Sequence, residues 1–381
     1  MRNKTVFSAI IWMLLQITTC VVGQQESSSS NSATSSVSPD IVTVGQVDLD
    51  SQSFAGDTNS LAVITLDASR LGTGTDFYSR ASLVLQIGDK TKTFHRVSGD
   101  TDNNNHFVGE SEGGDSLQLL KHTSAATGNQ ILIGSLVELD TALVYQFKSK
   151  PHDSNSNEII LEAKVRPSNE FPMTAEPPTL DSETAELMEK FHNESMQPGY
   201  TFATMIPEDP TPTISSAKAK SYKKDTDIIS IMILWSKKSE CRYSDLPADC
   251  DVNEETEDNM RALIDAAVAE TNTAYNMSKI GVQLELVHAY RHPTYTESAA
   301  DSSDILNVGV FGNTLARMSI PLDGTLDDVQ WKRRKYRADM VSMFIDDPSY
   351  CGVGYIGTGF IPAPSAPFMY SIVAYDCATG M

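Results

Sequence analysis

Apolar positions along this chain change their spacing near its middle. Before about residue 166 they fall in short β-rich runs at 61–66, 82–87, 131–133, 143–147 and 159–163, separated by Gly, Asn and Asp at hairpin-like intervals. That pattern predicts a small all-β domain over 41–166. Residues 24–40 are Ser-rich and polar, too poor in apolar side chains to bury a core, and are expected to be disordered. A stretch rich in Pro, Thr, Ser and Glu follows over 167–226 and reads as a linker, with one helix predicted near 182–192.

Beyond 227 the rhythm is α/β. Residues 228–235 form a near-continuous apolar run, as a strand buried on both faces should. A helix is expected to begin near Asn253. Its first turn is acidic, which suits the helix dipole, and Met260, Leu263, Ile264, Ala267 and Val268 recur at helical spacing. Residues 282–288 alternate as a strand, 326–336 read as a helix, and 340–345 as a second buried strand; 353–357 and 371–375 complete the set.

Charge and cysteine content narrow the partners and the compartment. With 29 basic against 50 acidic residues the chain carries a formal charge of −21, a surface that repels phosphate backbones and anionic lipid head groups, so nucleic acid is not an expected partner. Residues 1–23 show a basic start, an apolar run interrupted by Gln16, Thr18 and Thr19, and small residues at Val21-Val22-Gly23: the pattern of a cleaved secretory signal. The expectation is a secreted, extracellular chain with no membrane attachment after cleavage. Of the five cysteines, Cys20 lies in that signal. Cys241, Cys250, Cys351 and Cys377 remain, without the paired C-x-x-C spacing of a thiolate zinc site. Four cysteines allow three pairings; sequence proximity favours Cys241 with Cys250 and Cys351 with Cys377.

Hydrolytic chemistry is hard to place. Zinc peptidases commonly show H-E-x-x-H on a helix, and the comparable spacing here is His288-Ala289-Tyr290-Arg291-His292. Glu is missing from it, the segment alternates as a strand, and residues four apart on a strand lie about 13 Å from each other. Pro293 further biases His292 toward extended backbone. A strand-end histidine pair is the expectation. A Ser-His-Asp triad has no Gly-x-Ser-x-Gly elbow to support it, and Gly-rich phosphate loops are absent. Lys332-Arg333-Arg334-Lys335 reads as a solvated helix face. Lys218, Lys220, Lys223 and Lys224 suit either a solvated loop or a processing site. Asn193-Glu194-Ser195 and Asn276-Met277-Ser278 are candidate glycosylation sequons.

Taken in order, several segments carry a likeness. Ala269-Glu270-Thr271-Asn272-Thr273-Ala274-Tyr275 leads through Ile280-Gly281 to Leu284-Glu285-Leu286-Val287-His288. Tyr295-Thr296-Glu297-Ser298, Tyr336-Arg337-Ala338-Asp339-Met340-Val341-Ser342, Ser349-Tyr350-Cys351-Gly352 and Asp376-Cys377-Ala378 follow. Over about 226–381 this resembles the reprolysin-like (adamalysin-type) metzincins, secreted zinc endopeptidases. The resemblance implies an α/β catalytic region, 227–381, with a twisted sheet and flanking helices, preceded by a β-rich propeptide at 41–166. It implies an antiparallel edge strand at Gly352, Val353, Gly354, Tyr355, Ile356 and Gly357 that binds an extended peptide or protein substrate, with Cys351 and Cys377 joined beside it.

The family's zinc is held by a helix carrying H-E-x-x-H-x-x-G-x-x-H, which matches no residues here, nor does its general-base Glu or Met-turn. No catalytic or metal residue is therefore assigned, and no zinc is expected on these residues alone. Without that helix, strands 228–235 and 340–345 are expected to expose apolar surface, at roughly 1.5–3 kcal/mol for each large side chain. Hence the leading expectation is an incomplete metalloendopeptidase. The alternatives are a non-catalytic peptide-binding module, or a β-rich domain that acts alone as a folding aid or inhibitor.

Overall fold

The computed structural model describes residues 43–49, 60–67, 82–87, 90–97, 105–124, 127–128, 130–149, 158–167, 226–297, 309–319, 325–354 and 369–379. The expected signal, the Ser-rich stretch, most of the expected linker with its lysine cluster and its expected helix at 182–192, Asn193, and Tyr355, Ile356 and Gly357 lie outside them. The chain divides into two compact units.

The first unit is a closed barrel. Its strands are β1 (Thr43–Leu49), β2 (Ser60–Asp67), β3 (Ser82–Ile87), β4 (Lys90–Arg96), β5 (His106–Ser111), β6 (Ser116–Thr123), β7 (Gln130–Glu138), β8 (Leu143–Ser149) and β9 (Glu158–Pro167). They run in the order β1-β2-β9-β8-β7-β6-β5-β4-β3. Neighbours are antiparallel except at the closing seam, where β1 lies parallel to β3. Period-two alternation sends one set of side chains inward: Leu83, Leu85, Phe94, Phe107, Leu117, Leu119, Leu136, Tyr145 and Phe147 are among the core. Gly134 on β7 is demanded by this filling. A Cβ there would stand 2.0 Å from the Gln118 carbonyl oxygen and 2.9 Å from the Phe147 ring.

Charge is also buried in the barrel. The Lys92 ammonium contacts Glu138 at 2.7 Å, Asp115 at 2.9 Å and Asp140 at 3.2 Å. Burial disfavours its charge, but its bonds to these carboxylates outweigh that and hold it above the ordinary lysine range. Asp115 also accepts from the Leu139 N–H and the Ser111 hydroxyl, and Glu138 from the Tyr145 and Thr141 hydroxyls, so strands and turns from β4 to β8 are tied together.

The second unit is an α/β sheet. Its elements are β10 (Asp227–Trp235), α1 (Lys237–Tyr243), α2 (Glu254–Met277), β11 (Val282–Arg291), α3 (Gly309–Ser319), α4 (Asp327–Lys335), β12 (Met340–Ile345), β13 (Gly352–Gly354), β14 (Tyr370–Ala374) and a 3-10 turn, Tyr375–Cys377. The order is β11-β10-β12-β14-β13, parallel except for β13, which is antiparallel to β14. From β10 the chain crosses to one side to make β11, then back over β10 to make β12. Right-handed crossovers therefore place α1 and α2 on one face and α3 and α4 on the other.

Local chemistry sets the helix ends. Asn253 caps α2 in a capping box with Thr256, and Glu254, Glu255 and Glu257 fill the first turn. Ser236 caps α1 by accepting from the Ser239 N–H. The expected exposure of the two central strands is corrected by the structure. Met340, Val341, Met343, Phe344 and Ile345 are at most 3% exposed, and Met232 to Trp235 likewise. The helices present on both faces, with Leu263, Ile264, Phe311 and Val329 buried among them, supply the cover that was reckoned to need another helix.

Binding this unit together is a buried carboxylate. Glu240, fully buried on α1, accepts from Trp235 Nε1 at 2.6 Å, from the Thr256 hydroxyl at 2.6 Å and from Arg291 Nη1 at 3.0 Å. One side chain thus joins β10, α1, α2 and β11. Arg261 lies over the Trp235 ring at 5.5 Å from its centroid.

Candidate functional site

Among the described residues the sheet ends in β11 on one side and β13 on the other. At β11, Asn272 of α2 behaves as a surrogate strand: its Oδ1 accepts from the Leu284 N–H at 2.7 Å and its Nδ2 donates to the Leu284 carbonyl at 3.0 Å. The edge is closed at that point. At the opposite end, β13 pairs Gly352 with Val373, Val353 with Ile372 and Gly354 with Ser371. The Ala374 N–H donates to the Cys351 carbonyl at 2.9 Å. Antiparallel alternation then makes Val353 the residue bonded to β14, and turns the N–H and C=O groups of Gly352 and Gly354 away from it, toward the outer edge. Neither glycine puts a side chain in the way.

This edge is tethered. Cys351 is joined to Cys377, with Cα atoms 5.3 Å apart, so the residue entering β13 is fixed to the turn that ends β14. The second bridge joins Cys241 to Cys250 between α1 and α2. Of the six residues expected in the edge strand, Gly352, Val353 and Gly354 form β13.

Polar groups gather where the parallel strands end. The Glu297 Oε1 accepts from the Ser236 hydroxyl at 2.5 Å and the Asp346 N–H at 2.9 Å, linking the ends of β10 and β12. Burial pushes its carboxyl above the usual range, against the pull of those bonds. Nothing in the sequence marked Glu297 apart from its place in the Tyr-Thr-Glu-Ser stretch, and nothing marked Glu240 or Asp328 at all.

His288 sits on β11, whose register against β10 slips at Val287, and His292 follows one residue past the strand's end. His288 stacks on Tyr336, with ring centroids 3.7 Å apart, and on Tyr290 at 5.3 Å. His292 Nδ1 accepts from the Tyr295 N–H at 2.9 Å, which leaves Nε2 as the nitrogen bearing hydrogen toward Asp328 Oδ1 at 2.8 Å. Both ring nitrogens of His292 are therefore engaged, and the ring cannot activate a serine. Burial opposes ionisation of Asp328, but its bonds to His292 and Lys332 prevail and pull it down to about 2. Among the described residues no three His, Cys, Asp or Glu side chains are placed to hold a metal ion. These residues do not fit a zinc site, and no catalytic step through zinc is assigned to them. Three of the four residues in the basic run of α4 are engaged locally. Lys332 bonds Asp328 and lies 3.6 Å over the Tyr290 ring, Arg333 donates to the Ala338 and Asp339 carbonyls, and Lys335 covers Trp331.

His288 gives a pH signature. Burial, then the nearby charges of Lys332, Arg261 and Lys335, lower it from 6.5 to about 4. The unfolded chain takes up a proton below 6.5 that the folded chain refuses. Its contribution is therefore fully present above 6.5 and is lost as pH falls toward 4. His288→Phe keeps the stack and removes the titration. Between pH 7 and pH 5 the variant should lose about 1 kcal/mol less stability than the parent, allowing for the ring's partial exposure, as read by urea unfolding. Equal losses would show that His288 does not titrate as described.

With this geometry in hand, comparison with known proteins locates the likeness. Residues 247–364 match the Metallo-peptidase family M12B Reprolysin-like, a stretch that includes α2, β11, α3, α4, β12 and β13. A peptidyl-Asp metalloendopeptidase of Stenotrophomonas maltophilia (strain R551-3) is 34% identical over 122 residues, 32% of this chain and 25% of that protein. One from Xanthomonas campestris pv. campestris is 33% identical over 122 residues, with the same shares covered. The chain thus spans about a quarter of the length of the curated relatives it matches. A chain from the solved structure of a chaperone–substrate complex aligns over 39% of this chain and 20% of its own at 15% identity and a TM-score of 0.27, too distant to inform the fold. The resemblance to reprolysin-like metallopeptidases holds over the matched residues.

Proposed function

We propose that residues 227–381 supply the peptide-binding part of a secreted, zinc-dependent metalloendopeptidase, and that β13 is the strand on which an extended substrate lies. The barrel at 41–166 takes the part of a propeptide. The carrying observation is the tethered, outward-facing edge of β13 inside the stretch that matches the metallopeptidase family. A peptide adding to that edge would exchange hydrogen bonds with Gly352 and Gly354, while its side chains alternate above and below the sheet. The relatives' description as peptidyl-Asp metalloendopeptidases makes aspartate-containing peptides the first substrates to try. Zinc, in this reading, is held by residues other than the described ones, and hydrolysis belongs to the longer protein.

Two proline substitutions test the strand. Gly354→Pro removes an outward N–H and leaves the ladder to β14 whole; Val353→Pro removes an N–H that β14 needs. Gly354→Pro should weaken binding of extended aspartate-containing peptides about five- to tenfold, the worth of one backbone hydrogen bond, without changing the unfolding midpoint. Val353→Pro should lower both. Unchanged peptide affinity in Gly354→Pro, measured by titration calorimetry, would remove the proposed role of β13.

A second reading is favoured by the burial of β10 and β12. A sheet already covered by its own helices suits a peptide-binding module that does no chemistry. The two readings separate on zinc: metal analysis and peptide cleavage by the longest natural form of the protein should show both together, or neither.

A further inference from the structure

We propose that Asn276 is an N-linked glycan acceptor, and that the glycan covers the end of the sheet remote from the peptide-binding edge and the Glu297 cluster. The inference rests on the secretory part of the reading above. Asn276-Met277-Ser278 is the one glycosylation sequon among the described residues. All three side chains are exposed, as is Lys279 after them, and Met277 reaches 57%. They close α2. The Ser278 N–H bonds back to Ala274, and Lys279 turns the chain with a φ of 55° before Ile280 rejoins the fold through the Tyr275 carbonyl.

Asn272, one helical turn earlier on the same stripe, shows the contrast. Its amide is consumed by the Leu284 backbone, whereas the Asn276 amide makes no hydrogen bond among the described residues. The acceptor side chain is therefore exposed at a helix end.

The surroundings explain what a glycan does there. Met277 and Ile228, two of the exposed large apolar side chains, belong to this end of the unit, since Ile228 pairs with Gln283 near the start of β11. A hydrated oligosaccharide over them offsets their exposure. The ten-residue β11 runs about 30 Å at ordinary strand rise from Val282, beside this end, to Arg291, the residue before His292. A glycan at Asn276 can therefore shield without obstructing.

In the transfer, Asn276 Nδ2 bonds the anomeric carbon of an oligosaccharide carried on a polyprenyl pyrophosphate. The sugar–oxygen bond to that carrier breaks, the pyrophosphate leaves, and the amide gives up one proton.

The full chain is produced in a eukaryotic secretory cell and recovered from the medium. Peptide mapping after treatment with a glycan-releasing amidase should show aspartate at position 276, and the untreated protein should lose one glycan in Asn276→Gln and in Ser278→Ala. Both variants leave the fold's contacts in place. Peptide affinity at β13 should stay within twofold of the parent, while Asn276→Gln self-associates more readily on concentration. Secreted protein with an unmodified Asn276 overturns the proposal and leaves the β13 reading standing. Recovery only as unmodified intracellular chain overturns it too, and takes the secretory reading with it.

Discussion

Replacing Glu240 by Ala should lower the stability of the second unit by about 3–5 kcal/mol, the usual consequence of removing one partner from a buried charge pair. Three donors converge on this carboxylate from β10, α2 and β11. Truncation leaves the Trp235 N–H and the Thr256 hydroxyl buried without their acceptor, and strips Arg291 of its counter-charge. Arg291 is 30% exposed and can turn to water, which draws the expectation toward the lower end of the range. Glu240→Gln keeps an acceptor for one or two donors and should lie between. Tryptophan fluorescence isolates the effect, because Trp235 and Trp331 belong to the second unit and the barrel strands contain none. A shift of less than 1 kcal/mol in the fluorescence-detected urea transition would mean that Glu240 does not hold the four elements together.

The barrel has its own sensitive position. Gly134→Ala sets a methyl group 2.0 Å from the Gln118 carbonyl oxygen, a backbone atom that cannot rotate aside. β6 and β7 must separate, and the Phe147 ring must move as well. The expected loss is about 3 kcal/mol or more, at or beyond the upper end of ordinary overpacking. Gly113→Ala is the control: its added carbon meets nothing nearer than 3.6 Å, and its cost should stay within about 0.5 kcal/mol. Far-ultraviolet circular dichroism should register the loss in Gly134→Ala while the tryptophan transition of the second unit holds its midpoint. A Gly134→Ala barrel as stable as the parent would contradict the close strand approach.

Where apolar spacing carried the signal, sequence and structure agree. The runs at 228–235 and 340–345 become β10 and β12, and the expected helix start at Asn253 is its N-cap. The strands at 82–87 and 143–147 match β3 and β8 closely. β6 was missed despite its alternating leucines, and other elements were missed because few apolar residues mark their period. β4 reads KTKTFHR with Phe94 as its one fully buried residue, and β5 reads HFVGES; each is a strand because its neighbours pair with it, not because of its own pattern. α1 is seven residues of mostly polar sequence, held by its Ser236 cap and by the Cys241–Cys250 bridge. α3 carries glycines at 309 and 312, which argue locally against a helix.

The site divides in the same way. The start of β13 and its disulfide fall in two short segments, 349–352 and 376–378, that can be recognised along the chain. Glu240 is one carboxylate among 50 acidic residues that only tertiary placement distinguishes, and the Tyr-Thr-Glu-Ser stretch that holds Glu297 says nothing of its bonds to Ser236 and Asp346. The misjudged exposure of the central strands has one cause: it was reckoned from a helix not matched in the chain, while α1 and α3, which help cover the sheet, had not been recognised.

The parallel seam between β1 and β3 makes seven residues the keystone of a nine-stranded cylinder. While β1 is in place, every strand of that cylinder has both flanks satisfied. Strip it away, and β2 and β3 each acquire a bare row of amides and carbonyls, the kind of template on which other chains nucleate. A protease nibbling from the amino end would thus convert an inert closed unit into a sticky one in a single step.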